Sequence, residues 1–198
     1  MSTDLRQEQV VLLAADGTPI GAAAKSEVHC VDTALHLAFS CYLFDDRGRV
    51  LLTRRALGKA TWPGVWSNTC CGHPQPGEHP DRAVSRRLRE ELGVEAEALR
   101  TVLPTFSYRA VDASGLVENE ICPVWVGLLP MGAKVAPDPA EVMDTAWVAW
   151  ADLVRAVRDL PQLLSPWSVL QVPQLEAAGA APTTGRSSTT RGEGPPRV

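Results

Sequence analysis

Residues 72–94 read GHPQPGEHPDRAVSRRLREELGV, and the change of pattern inside them decides the kind of domain this is. Residues 61–80 are crowded with Gly and Pro and read as loop. From Asp81 the pattern turns helical: Val84, Leu88 and Leu92 recur at i, i+4 and i+8, and Gly93 supplies a stop. The spacing predicts a helix over 81–92. Gly72 leads Glu78 by six positions, and Arg86, Arg87, Glu90 and Glu91 follow at fixed steps. Arg87 and Glu91 lie one turn apart, so both project from one edge of that helix. A carboxylate there can hold a hard cation such as Mg²⁺, which in turn holds diphosphate oxygens. An amphipathic helix with solvated salt bridges is the simpler reading of the charges alone. The full spacing behind a Gly-rich loop favours a ligand.

Working outward, residues 10–14 run into an Asp-Gly turn and read as a strand entering a hairpin. Residues 37–44 and 50–53 flank DDRG as a second hairpin. Residues 117–129 read as one long strand and 145–150 as a shorter one, with helices over 151–159 and 166–175. Ser165 is the expected N-cap of the last helix and Pro166 its first residue. Hairpins mixed irregularly with helices predict an α/β (α+β) domain, a mixed sheet flanked by helices, rather than a doubly wound parallel sheet. Residues 1–8 are expected to be flexible, 9–175 to form a single compact domain, and 176–198 to be a disordered tail, since EAAGAAPTTGRSSTTRGEGPPRV has almost nothing to bury.

The 198 residues are 45% hydrophobic, enough for a real core. A net charge of −4 argues against nucleic-acid binding through a broad basic surface. No run approaches the roughly 20 apolar residues of a membrane span, and the N-terminus lacks a secretory layout. Five cysteines, two of them adjacent, fit a reducing cytoplasm better than a disulfide framework. With no heptad in view, the expectation is a monomer.

Chemistry-bearing side chains collect outside the helix as well. His29 and His36 bracket VDTAL ahead of a strand, and His73 follows Cys71-Gly72. Glu118 and Glu120 are two apart on a predicted strand and so share a face. Three imidazoles and two carboxylates would suit Zn²⁺, Mn²⁺ or a similar divalent ion; a solvent-exposed strand end is the alternative. Cys71 can be a small buried hydrophobe, but a place in a loop beside His73 favours chemistry. Cys41 and Cys122 sit in strand patterns and read as structural, while Cys30 and Cys70 carry no assignment.

The run 72–94 resembles the Nudix box, G-x5-E-x7-R-E-U-x-E-E-x-G-U with U aliphatic, departing from it only at Arg87, which stands where the pattern has Glu. Nudix domains usually hydrolyse nucleoside diphosphate derivatives, so a hydrolase is a competing reading. A structural zinc knot of Cys70, Cys71, His73 and Cys122 is a third, weakened by the lack of paired C-x2-C spacing. More specific strings stand beside the box: HLAFS at His36, TRRALGKATWPGVWSNTCCGHP from Thr53, YRAVDASGLVENEICPV from Tyr108 and SPW at Ser165. Together the chain resembles the type I isopentenyl-diphosphate delta-isomerase family over residues 10–172. That resemblance implies a Nudix-type mixed sheet between helices and a role in isoprenoid precursor synthesis. It further implies interconversion of isopentenyl and dimethylallyl diphosphate through a tertiary carbocation.

Carried over residue by residue, the resemblance implies an inner metal site of His29, His36, His73, Glu118 and Glu120, filled by Mn²⁺, Zn²⁺ or Mg²⁺. It implies a catalytic pair of Cys71 and Glu120, with Tyr108 and Trp167 beside the hydrocarbon. Tyr108 would relay a proton and the indole of Trp167 would stabilise the cation, though a plain core tryptophan remains open. Mg²⁺ with the substrate diphosphate would be reached by Glu91 and the Cys71 carbonyl, and Lys25, Arg55, Lys59 and Arg87 would surround the diphosphate. The chain has only three lysines, and two of them fall in this set.

Overall fold

The computed structural model describes residues 8–182. In chain order it contains β1 (Gln9–Leu13), β2 (Pro19–Ala24), the short α1 (Lys25–Val28), β3 (His36–Leu37), β4 (Phe39–Phe44) and β5 (Arg49–Arg55). There follow β6 (Trp66–Ser67), β7 (Cys70–Gly72), α2 (Pro80–Leu92), β8 (Glu97–Leu103), β9 (Ser107–Val111), β10 (Val117–Ile121) and β11 (Val124–Leu128). The last elements are β12 (Val142–Ala149), α3 (Trp150–Asp159), a 3₁₀ turn at Pro161–Leu163, and α4 (Pro166–Ala177).

Two mixed sheets result. One runs β2-β1-β3-β10-β9 and the other β12-β5-β4-β11-β8, with β6 on β5 and β7 on β4. The second sheet is buried on both faces, and β4 explains how. All six of its residues are buried. Phe39, Cys41 and Leu43 face one way, towards Ala83, Val84, Leu88 and Leu92 of α2. Tyr42 and Phe44 face the other, towards Leu153 of α3 and Val172 and Leu175 of α4. Alternation along the strand therefore feeds two cores at once.

The sheets meet at a seam. Residues 117–129, expected as one strand, break at Cys122-Pro123: β10 pairs in parallel with β3 in the first sheet, and β11 pairs in parallel with β4 in the second. Proline has no N–H to give a ladder and favours such a break. Beside it the chain passes from β3 to β4 at Ala38, whose N–H donates to the Ile121 carbonyl. Both crossovers lie side by side, so side chains from two sheets converge there.

Other expectations also needed correction. The stretch 61–80 is not all loop, because β6 and β7 lie within it, and Cys71 stands on a strand. β8 and β9 gave no signal that the sequence reading used. Ser165 makes no capping hydrogen bond; its hydroxyl instead meets Ser67 and Ser168. The expected tail starts too early: α4 runs to Ala177, Glu176 accepts the Trp150 indole N–H, and Ala180 is buried in the core. Residues 1–7 of the expected flexible N-terminus and 183–198 of the expected tail lie outside the described residues. Among the described residues no helix is long and apolar enough to cross a membrane.

Two glycines of the 72–94 run have visible steric reasons. A Cβ on Gly72 would meet Arg87 Cγ at 2.8 Å and Phe39 Cζ at 3.0 Å, so only glycine lets β7 lie this close to α2. Gly93 takes φ 65° and closes α2: its N–H donates to the Arg89 carbonyl, and that of Val94 donates to the Leu88 carbonyl. Glu78 accepts two bonds from Arg86, each 2.8 Å, which ties the loop down onto the helix.

Candidate active site

A cavity of about 460 Å³ opens at the seam. Its walls include Lys25 and His29 from α1 and its flank, Arg55 from β5, and Cys71 with His73 from β7 and its flank. Lys59, Arg87 of α2, Tyr108 of β9, Glu118 and Glu120 of β10, and Trp167 of α4 complete the set. Glu118 and Glu120 do share a face, and at 6% and 5% exposure they are no solvent-exposed strand end.

The inner end is a cage of imidazoles. The rings of His29, His36 and His73 lie 5.1–5.7 Å apart between centroids. One ligand atom each from these three and Glu120 fall within 4.8 Å of one another. His36 Nδ1 lies 2.9 Å from the Ala34 carbonyl and donates to it, which turns Nε2 into the cage. That nitrogen is 3.4 Å from Glu120 Oε1, and His29 Nε2 is 3.0 Å from Glu118 Oε2. Neither buried nitrogen has a hydrogen-bond partner. Buried acceptors turned on one another are costly unless a cation lies between them. Nitrogen and carboxylate donors in this number fit a divalent ion. Glu118 stands slightly apart, with Oε1 accepting the Thr61 hydroxyl at 2.6 Å. Burial alone would raise the Glu120 carboxyl, yet His36 and His73 beside it hold it well below the usual range. Burial pushes His73 down.

Cys71 and Trp167 share the next section of wall. Cys71 Sγ lies 3.2 Å from Asn68 Oδ1 and 3.5 Å from Ser40 Oγ. Burial pushes its thiol up to about 11 against these hydrogen bonds. Tyr108 sits directly across from Glu120 in the β9–β10 ladder. Trp167 has Tyr108 at 5.8 Å and Trp62 at 5.5 Å between ring centroids, and the Arg55 guanidinium lies 5.4 Å over its face.

The outer end is basic but already partnered. Lys25 pairs with Glu8 at 2.5 Å, Lys59 with Glu141, and Arg87 with Glu91 and Glu141. Arg55 donates instead to the carbonyls of Thr61 and Trp62. Burial would raise Glu141, but Lys59 and Arg87 hold it down to about 2. Glu91 faces a smaller recess behind the cavity, shared with Cys71, Arg55 and Lys59.

A NUDIX domain model matches residues 34–168. The isopentenyl-diphosphate Delta-isomerase of Mycolicibacterium vanbaalenii is 59% identical over 172 residues, which cover 87% of this chain and 93% of that protein. The isopentenyl-diphosphate Delta-isomerase of Paenarthrobacter aurescens is 55% identical over 175 residues, covering 88% and 94%. The chain belongs to the isopentenyl-diphosphate Delta-isomerase family of NUDIX domains. In fold alone it is also similar to DR0079 from Deinococcus radiodurans, with TM-score 0.63 at 19% identity, covering 84% of this chain and 98% of that one.

For this member of the isopentenyl-diphosphate Delta-isomerase family, eleven of the residues singled out from sequence line one cavity, while His36 lies just behind its wall and Glu91 in the adjoining recess. His79 stands apart, exposed at the start of α2. Sequence reading missed Glu8 and Glu141, which neutralise the basic rim, and Thr61, Asn68 and Ser40, which hold site side chains. Asn68 sits inside the quoted NTCCGHP string, so a signal was present. Glu141 lies in a Pro- and Gly-rich connection with none.

Proposed function

We infer that this chain interconverts isopentenyl diphosphate and dimethylallyl diphosphate, a step of isoprenoid precursor synthesis in which the double bond moves one position and the diphosphate stays attached. The observation that carries the reading is that Cys71 and Glu120 line one cavity with Trp167, below a rim of Lys25, Arg55, Lys59 and Arg87. The names of the relatives support it.

The chemistry demands such an arrangement. An unactivated alkene is a very weak base, and protonating its terminal carbon gives a tertiary carbocation. One C–H bond forms at that terminal carbon and another breaks at the methylene on the far side of the cationic carbon, which needs a donor and an acceptor on different sides. At neutral pH Cys71 rests as the thiol and Glu120 as the carboxylate, following their opposite displacements. One can give a proton while the other takes one, and the reverse reaction uses the pair with protons exchanged. Tyr108, opposite Glu120, relays protons between that carboxylate and the substrate. The indole of Trp167 offers the cation a face worth about 0.5–2 kcal/mol. The Arg55 guanidinium lies over one face of that ring. The buried walls keep water from the cation.

Lys25, Arg55, Lys59 and Arg87 grip the diphosphate, so binding energy remote from the alkene positions the reacting carbons. His29, His36, His73, Glu118 and Glu120 would hold the inner ion, Mn²⁺, Zn²⁺ or Mg²⁺, while Glu91 and the Cys71 carbonyl would hold Mg²⁺ with the diphosphate. When bound, these ions supply positive charge that acidifies the groups they touch and neutralises the phosphates. The five cysteines are all unpaired, which suits a reducing cytoplasm.

The test is incubation with isopentenyl diphosphate and Mg²⁺ in deuterated water, read by NMR. Deuterium in a five-carbon product with both phosphates intact is expected. Phosphate release without deuterium uptake would instead identify a hydrolase.

A further inference from the structure

One buried side chain that the reaction as described leaves unused touches both the sulfur and the indole. Asn68, at the end of β6, is 1% exposed. Its Nδ2 donates to the Cys41 carbonyl at 3.1 Å and to the Cys70 carbonyl at 2.8 Å. Those carbonyls can only accept, so they fix which end of the amide is nitrogen and aim Oδ1 towards the cavity wall. Oδ1 then accepts from Trp167 Nε1 at 2.9 Å, Ser67 Oγ at 2.8 Å and Cys71 Sγ at 3.2 Å. A single oxygen, pinned from behind by two strands, thus meets both groups that flank the hydrocarbon. The sulfur is held on its other side as well. Ser40 Oγ lies 3.5 Å from it, and that hydroxyl accepts a bond from Gln171 Nε2 at 2.9 Å. Gln171 in turn accepts the Tyr42 hydroxyl.

We propose that Asn68 is a positioning residue for the isomerisation: its Oδ1 fixes the distance between the Cys71 sulfur and the Trp167 indole, so that the proton-transferring group and the cation-stabilising face meet the same bound hydrocarbon. The proposal rests on the functional reading above. Among the described residues no hydrogen bond joins Asn68 to Lys25, Arg55, Lys59 or Arg87, so the grip on the diphosphate does not run through the amide. Every donor and acceptor of the amide is used inside the protein, which leaves none for substrate. Its effect therefore falls on the rate of the bound complex and not on binding.

The experiment uses Asn68→Ala and Asn68→Ser in the full chain. It measures kcat and KM for isopentenyl diphosphate, the thermal midpoint, and the Kd of inorganic pyrophosphate with Mg²⁺. A native chain that does not isomerise defeats the functional reading before any variant is made. With a competent native chain, kcat in a folded variant is expected to fall about 100-fold, as for a misplacement of roughly 1 Å. KM and the pyrophosphate Kd are expected to stay within about twofold, because only the geometry around the hydrocarbon changes. A cycle with Trp167→Phe, which deletes the indole N–H and keeps an aromatic ring, separates positioning from bulk packing. Residues sharing one hydrogen bond do not add, so Trp167→Phe should cost about tenfold alone and under about threefold beside Asn68→Ala.

The proposal is overturned by kcat within about threefold of native, by KM and pyrophosphate Kd rising together with the loss of rate, or by Trp167→Phe and Asn68→Ala losses that multiply. Failure of both Asn68 variants to fold overturns it too, since Asn68 would then be a residue of the scaffold alone.

Discussion

At the inner end of the cavity, buried nitrogen and oxygen acceptors face one another with too few protons between them; at the outer end, the lysines and Arg87 already hold carboxylates. The first is an arrangement that becomes stable when a cation joins it. The second is stable as it stands and must exchange partners when an anion arrives. Burial explains the difference at the lysines, while Arg87 and Glu91 are themselves buried and already paired. His36 is fully buried and Glu120 nearly so, whereas the Lys59 and Glu141 side chains keep 22% and 23% of their surface in water. Water can tolerate an exchange of ion pairs at the rim, but it cannot solvate unpaired groups in the cage. The inner end therefore favours a bound cation, and the lysine pairs of the outer end can exchange one anion for another.

That contrast breaks most visibly at Cys71. Cys71→Ala is expected to lower kcat by about 10⁴, the upper range for loss of a general acid–base group, while Mg²⁺-pyrophosphate binds as before. Calorimetry beside the deuterium assay checks both halves. Loss of pyrophosphate binding in this variant would mean that the two ends are not separable. A smaller effect is expected at the rim: Lys59→Met should raise KM about tenfold or more by removing a charge-assisted contact, with kcat within a few-fold. A kcat loss as large as that of Cys71→Ala would erase the distinction. The smallest effect concerns stability. Glu141 is held from 4.5 down to about 2 in the folded protein. The stability it contributes is complete above about pH 4.5 and is lost as pH falls towards 2, because the unfolded chain takes up its proton first. Glu141→Gln should flatten the acid limb of a plot of Tm against pH and leave the limb above pH 6 nearly parallel to native. An acid limb unchanged by the substitution would mean that the rim is not organised by this carboxylate.

Local pattern made α2 legible, because Val84, Leu88 and Leu92 share one buried stripe and Gly93 has to take a positive φ. It also made Glu118 and Glu120 legible as a pair, since alternation on a strand is a local rule. The same rule failed for 117–129, where alternation continues across Pro123 although the chain changes sheet there. β6 and β7 were hidden for another reason. Strands of two and three residues have no periodicity to detect, and each exists because a neighbouring strand supplies its partners. The end of α4 was misread because Glu176 and Ala180 have little to bury by themselves; the Trp150 indole and the core they complete hold them.

By itself, then, the sequence determined which side chains could carry chemistry and the spacing that keeps Glu91 beside Arg87, since both follow from identity and helical geometry. Tertiary structure alone decided that β4 splits its faces between two cores, that Glu8 and Glu141 occupy the basic rim, and that Asn68 joins the sulfur to the indole. Those relations link residues as far apart as Asn68 and Trp167, or Lys59 and Glu141, across different elements. No local rule of spacing reaches that far, because what brings them together is the burial of the chain as a whole.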